Sequence, residues 1–425
     1  MKDTYGKWLL KLELTGLYTL AFAMPTLESI KWMGMFLFLV GVVGRKVVEN
    51  RFSWRRPTGF EIVLLAMGMS AVVSTLVNWP LPNGFSGLER VTSVLLVGWL
   101  IYISAYNEKQ LKGLLLAIVA GVMVGLVVSG YLLFSGQNPH LEFVSIPNLN
   151  RSVIYHVLCL FVMLAIVMDS RRLFSNRLRV IMGICFIIGV GCLFIMASRG
   201  ALLGFVGGMI LLAVFVKQSR KIWLIQSTSI LGTIILISVI NMTWDNHIFQ
   251  SKIRKFTRYY YVLKEGSDLS GAIGISERVR YDYIRVSWAQ ITQKGKMFLG
   301  SGPGTFKYID VESLSLEKPL LRYKKKPGWE KPSHAHNEFL TLWVEVGLVG
   351  LFCHVLFLCY FGSTLWQHRK RGQRTWQLVA GVGFFATATI SGLFNTVLTN
   401  EMGWLAMMIV GAAMHEDCKL KEGKI

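Results

Sequence analysis

Residues 180–216 read VIMGICFIIGVGCLFIMASRGALLGFVGGMILLAVFV. Two apolar runs, 180–197 and 201–216, meet at Ser198-Arg199-Gly200, and Arg199 is the single charge in the stretch. A helix needs about 20 apolar residues to cross a bilayer. Each run approaches that length, and the break between them has room only for a turn. The segment therefore reads as two adjacent membrane helices with an arginine at their junction. An ionisable residue at such a place is costly and marks a functional site by default.

The pattern continues outward in both directions. The 425 residues are 53% hydrophobic and only 16% charged, with a mean hydropathy of +0.48, whereas soluble chains carry about 25% charged residues. Apolar blocks predict twelve spans, at 8–24, 30–44, 60–77, 88–106, 111–134, 150–169, 178–197, 199–216, 221–241, 337–362, 376–395 and 401–416. The first contains Lys11 and Glu13, and the second is short. The apolar runs are continuous rather than alternating, which excludes a membrane β-barrel. The expected fold is an all-α polytopic integral membrane protein of about twelve transmembrane helices with one large, partly helical loop. Its expected divisions are a bundle over 1–241, a loop domain over 242–336, a second bundle over 337–416 and a tail over 417–425. Charges in the first apolar stretch, and no small-x-small site before Pro25, argue against a cleavable signal.

Net charge is +21, and its placement is informative. With the N-terminus inside, the short inner segments hold 24 Lys and Arg against four outside (Lys31, Arg90, Arg151 and Arg199). The positive-inside rule then puts both termini in the cytoplasm and residues 242–336 outside. The excess is read as topology, not nucleic-acid binding, and Arg45 and Arg371 become cytoplasmic charges with no catalytic role. Of six cysteines, five lie in spans and one in the tail, so no disulfide framework is implied.

The outer loop carries 17 Lys and Arg against nine Asp and Glu. Residues 276–291 alternate basic and apolar positions at helical spacing, with Val279, Ile284, Trp288 and Ile291 as the apolar set. Residues 252–264 mix Phe256 and Tyr259 to Tyr261 with basic residues, as an interfacial helix on anionic headgroups does. Gly300-Ser301-Gly302-Pro303-Gly304 lacks the lysine and Ser/Thr of a P-loop, so no nucleotide is expected. Its glycines read as a tight turn that lets backbone approach substrate or membrane.

Three outer arginines open spans: Arg90 the fourth, Arg151 (after Asn148-Leu149-Asn150) the sixth, and Arg199 the eighth. Helix N-termini favour anions, and guanidinium binds phosphate bidentately. With Arg278, Arg280 and Arg285 in the loop, the set points to a diphosphate. For any one arginine the plain alternative is a snorkelling anchor. Ser333-His334-Ala335-His336-Asn337-Glu338 then leads into the tenth span. Two histidines without a third nearby ligand make no metal site, and no cofactor is expected. A neutral histidine can instead take a proton from a sugar hydroxyl. Asn337 is placed to fix its tautomer or hold a hydroxyl, and Glu338 to cap the helix; a purely structural polar cap is the bland reading.

Taken together, Ala197-Ser198-Arg199-Gly200, the large outer loop, Gly300-x-Gly-x-Gly-x-Phe306, His334-Ala-His336-Asn337-Glu-Phe-Leu and Glu345-Val-Gly347-Leu-Val-Gly350 resemble the O-antigen ligase and polymerase superfamily. The resemblance implies a GT-C-like glycosyltransferase in the bacterial inner membrane. It would move an undecaprenyl-diphosphate-linked glycan to a lipid A-core acceptor at the periplasmic face, without metal and with inversion. It matches Arg199 and Arg278 (Arg280 a close rival) to diphosphate contacts and His336 (His334 the rival) to the catalytic histidine. Arg151 and Arg90 extend the donor set, and Asn337, Glu338 and Asn150 support it. The runner-up is an O-antigen polymerase; the chain length argues against a protein O-oligosaccharyltransferase. A transporter would place charges near the midplane and break helices in pairs, which these spans do not.

Overall fold

The computed structural model describes residues 2–49, 57–146, 148–169, 173–196, 198–216, 275–316, 334–370 and 376–421. Among them lie twelve α-helices and no strand. They are α1 (Lys2–Ala23), α2 (Glu28–Val48), α3 (Gly59–Val77), α4 (Ser86–Ser104), α5 (Glu108–Phe134) and α6 (Leu149–Met168), followed by α7 (Asn176–Met196), α8 (Arg199–Phe215), α9 (Ile275–Gln293), α10 (Glu338–Lys370), α11 (Trp376–Ile390) and α12 (Asn400–Lys421). Eleven of these coincide with expected spans, and α9 is the loop helix. The expected ninth span, 221–241, and the aromatic-basic stretch 252–264 lie outside the described residues.

Seven helices are long and apolar enough to cross a membrane, consistent with a polytopic membrane protein. The helices α1, α2 and α12 are not among them; each carries charge that the bundle puts to structural use. α8, at 17 residues, is a shorter apolar helix. α6 and the segment Trp376–Leu393 form the centre, 83% and 78% buried over their apolar windows against 33% for α3 and α7. Helix starts carry chemical stops. Thr58 with Glu61 and Asn107 with Gln110 form capping boxes, and Asn148 caps α6 by accepting from the N–H of Asn150 and Arg151.

Turns that precede α2, α4, α6, α8, α10 and α12 gather at one end of the bundle, called here the histidine end. The charges in α1 are resolved at the opposite end. Glu13 is fully buried and accepts from Arg45 Nε (2.7 Å) and Nη2 (3.0 Å) and from Tyr106 Oη (2.6 Å). Arg45 also donates to the Ser104 carbonyl, at 3.1 Å. The expectation that Arg45 is a bystander is corrected: removing its side chain would strand a buried carboxylate. Lys31 is likewise no loop charge. It is 1% exposed and bridges Glu28 (2.6 Å) and Glu401 (2.5 Å), tying α2 to α12.

The helix α10 is broken at Gly347, whose φ of 80° and ψ of −177° are not helical. The loop before it repairs the break. The N–H groups of Ser301 and Gly302 donate to the Val344 and Glu345 carbonyls (2.9 and 2.8 Å), and Ser74 Oγ donates to Glu345 O (2.8 Å). Beyond the break, Leu348 and Val349 donate to Met297 and Phe298 (2.9 and 3.3 Å). A Cβ on Gly347 would collide with the Phe298 carbonyl, and one on Gly300 with the Glu345 carbonyl. Similarly, Gly87 lies against the Pro303 carbonyl, to which Asn83 Nδ2 donates at 2.8 Å. The close approach expected of the glycine turn is thus to a broken helix and to α4.

The loop helix α9 also differs from its sequence reading. Ile284 and Trp288 are 48% and 55% exposed, while Tyr283, Val286, Ser287, Ala289 and Ile291 are buried. The inward face is set by Phe306, Ile309, Val311 and Leu314, which form one cluster with Val286, Ala289 and Ile291. Trp288 instead meets Trp343 of α10 edge to face, 5.8 Å between centroids.

Candidate active site at the histidine end

Residues 334–337 enter α10 through a tightly held turn. Asn337 Oδ1 caps the helix by accepting from Leu340 N–H (2.9 Å), and Thr341 Oγ donates to the Asn337 carbonyl (2.7 Å) while accepting from Ala335 N–H (3.1 Å). His336 is left in the left-handed region at φ 54°, a conformation that costs a non-glycine residue roughly 1–3 kcal/mol and persists only where its surroundings enforce it. Its N–H donates to His334 Nδ1 at 3.1 Å, so that nitrogen is the bare one in the neutral His334 ring. The two imidazoles meet at 4.5 Å and 67°. On its other side the His336 ring lies nearly parallel to Tyr283 of α9, 5.6 Å between centroids and 13° between planes.

Both imidazoles are held neutral. Burial, then the neighbouring His336 and Arg151, push the His334 pKa down to about 3. Burial, then Arg280, push His336 down to about 4. The Arg151 charge thus bears on His334, and the Arg280 charge on His336. Among the described residues nothing pairs with His336 Nδ1 or with Arg151 Nε, and both atoms are buried. A buried polar atom left without a partner costs about 1–3 kcal/mol, so each calls for an explanation.

The other expected residues distribute as follows. Arg199 is exposed at the first turn of α8. Its flanking residues are tied down: Ser198 Oγ donates to Asn150 Oδ1 (3.2 Å), and Ser391 Oγ donates to the Gly200 carbonyl (2.9 Å). Asn337 Nδ2 donates to Leu393 O (3.2 Å), so the start of α8 and the histidine turn share the segment 391–393. Asn337 is committed to the backbone and does not set a histidine tautomer. Glu338 is 3% exposed and accepts from Val397 N–H (2.6 Å) and Leu398 N–H (3.0 Å), so it anchors the link between α11 and α12 besides opening α10. Arg90 and Arg151 line one cavity of about 530 Å³. Arg278 lies in the first turn of α9, and its side chain falls outside the described residues. Among the described residues no three of His, Cys, Asp and Glu come together as a metal site.

Sequence reasoning missed two groups. Tyr283 could have been found only by taking the buried face of α9 from the 283/286/287 spacing instead of from the most apolar residues. The Lys31–Glu401 pair joins residues 370 positions apart, and nothing local signals it.

The all-helical bundle thus gathers a histidine pair and arginines at one end. Residues 184–355 match the family model described as O-antigen ligase, which supports membership of the O-antigen ligase superfamily. The description of that model points to O-antigen ligase/polymerase-type function. The matched region holds Arg199, Arg278, Arg280 and the His334–Glu338 turn; Arg90, Asn150 and Arg151 precede it. A comparison with curated proteins gives no match.

Proposed function

We propose that this chain is an O-antigen ligase that transfers a glycan from undecaprenyl diphosphate to a lipid A-core acceptor at the periplasmic face of the inner membrane. The observation that carries the reading is the His336 imidazole: neutral, clamped between Tyr283 and His334, with a buried nitrogen that has no partner among the described residues. An acceptor hydroxyl is the partner it lacks. In a single displacement the acceptor oxygen attacks the anomeric carbon and a new C–O bond forms. The bond from that carbon to the diphosphate oxygen breaks, and its electron pair leaves with the diphosphate. The hydroxyl proton passes to His336. One displacement inverts the anomeric configuration. Arg199 and Arg278 hold the departing diphosphate, whose charge grows in the transition state, where fixed cations act most strongly. Arg280 and Arg151 add positive potential beside the two histidines. No nucleotide is used, since the lipid diphosphate is already an activated donor.

The test is transfer by purified protein from lipid-linked glycan to lipid A-core, followed as product on a gel, in the presence of EDTA and across pH. A base with a pKa near 4 is neutral from pH 8 down to about 5.5, so the rate stays flat there and falls only below about pH 5. An ordinary histidine would already lose half its neutral form near pH 6.5. Loss of transfer in EDTA with recovery on one divalent cation, or a fall centred at pH 6.5, contradicts the mechanism.

A further inference from the structure

The cavity that Arg90 and Arg151 share is larger and chemically more varied than a diphosphate needs. At about 530 Å³ it falls within the range of small-molecule sites, roughly 300–1,000 Å³. Trp32, Trp404, Glu28, Glu89, Ser93 and Glu401 also line it. Trp32 is 47% exposed, and its Nε1–H donates to Glu28 Oε1 at 3.0 Å, which fixes the ring. Trp404 is 3% exposed, meets Trp32 edge to face at 5.2 Å, and donates to Ser93 Oγ at 3.3 Å. Lys31 sits 6.0 and 5.9 Å from the two ring centroids and bridges Glu28 and Glu401, so the three groups together remain net negative. This is a braced wall, not a loose belt of interfacial tryptophans.

The lining chemistry decides what fits. A diphosphate offers only acceptor oxygens and negative charge, and three carboxylates face this space. A sugar offers hydroxyls that donate to carboxylates and accept from guanidinium, together with an apolar C–H face that lies on an indole. Arg151 lines this cavity, and its charge also bears on the His334 imidazole.

From this arrangement we infer that the cavity between the starts of α2, α4, α6 and α12 is a sugar subsite, with Trp32 as the stacking face and Glu89 as a hydroxyl acceptor. The inference rests on the glycosyl-transfer reading and names the part of that site that grips a saccharide. Two substrates could supply the sugar, the acceptor core or the donor glycan, and the same test separates them.

The experiment is equilibrium binding to purified full-length protein in nanodiscs. The probes are delipidated core oligosaccharide, undecaprenyl-diphosphate-linked glycan and bare undecaprenyl diphosphate. Trp32→Leu and Glu89→Gln change side chains at the cavity and leave the Lys31–Glu401 pair intact. Each variant should weaken a sugar-bearing probe about tenfold, the size expected of one charge-assisted hydrogen bond or stacked ring, and leave bare undecaprenyl diphosphate bound as before. Weakening of the oligosaccharide assigns the subsite to the acceptor; weakening of the lipid-linked glycan alone assigns it to the donor. Unchanged affinity for both sugar probes overturns the inference. So does an equal loss for bare undecaprenyl diphosphate, or binding of phosphatidylethanolamine vesicles as the sole Trp32-dependent event. If the wild-type chain binds a sugar through Trp32 yet transfers no glycan, the subsite stands and the transfer reading fails.

Discussion

Two buried polar clusters sit at opposite ends of this bundle, and they are finished differently. At one end both oxygens of Glu13 are taken, by two nitrogens of Arg45 and the hydroxyl of Tyr106. At the other, His334 and His336 engage each other and Tyr283, while His336 Nδ1 and Arg151 Nε have no partner among the described residues. Burial alone therefore does not mark a functional group. A buried carboxylate with both oxygens taken holds helices in register. A polar atom removed from water with its bond unmade, in a turn beside arginines, is open to a partner that arrives.

That contrast can be broken or sharpened by substitution. Outside the two clusters, the largest effect is expected at Arg199, whose exposed side chain follows a backbone held on both sides. Arg199→Ala should cut transfer about 10²–10³-fold, as loss of a transition-state donor does, with normal membrane abundance by immunoblot. Arg199→Lys should recover little, because an ammonium keeps the charge but loses the two-pronged phosphate contact. Full activity of Arg199→Ala would make it an interfacial anchor. Next comes Gly347→Ala. It forces a side chain into the Phe298 carbonyl at a φ of 80°, so it should cost roughly 1–3 kcal/mol and appear as reduced abundance or lower thermal stability. A normally stable variant would show that the loop and the broken helix are not coupled. The smallest effect is expected at Tyr283. If its ring serves to orient His336, Tyr283→Phe should be nearly silent and Tyr283→Leu should lower the rate a few-fold without changing donor affinity; equal losses in both would implicate the hydroxyl.

The helical architecture was legible in the sequence because apolar runs of span length leave few alternatives. Eleven expected spans match helices to within a few residues at most boundaries. The histidine turn and the arginine-opened helices were equally visible, since polar residues at span ends stand out. What could not be read was pairing across the chain. Glu13 looked like a defect in the first span until Arg45 of the next helix met it. The glycines of 300–304 looked like a turn that approaches substrate or membrane, but the N–H groups of Ser301 and Gly302 within it had a prior claim in the open carbonyls of Val344 and Glu345. Of the apolar set expected on α9, Ile291 is buried, but packing against Phe306 and Leu314 takes Val286 and Ala289 inward and Trp288 stays half exposed.

The central claim is that the two clusters do different work, and it is tested most directly by measuring membrane abundance and transfer per folded molecule for Arg45→Ala and His336→Ala side by side. Arg45→Ala should lose abundance, since breaking a buried pair costs about 3–5 kcal/mol, while the molecules that do fold transfer glycan at the normal rate. His336→Ala should accumulate normally and transfer about 10²–10⁴-fold more slowly, as the loss of a general base predicts. A folded, abundant Arg45→Ala protein without activity, or a His336→Ala protein that transfers at the wild-type rate, would contradict the account.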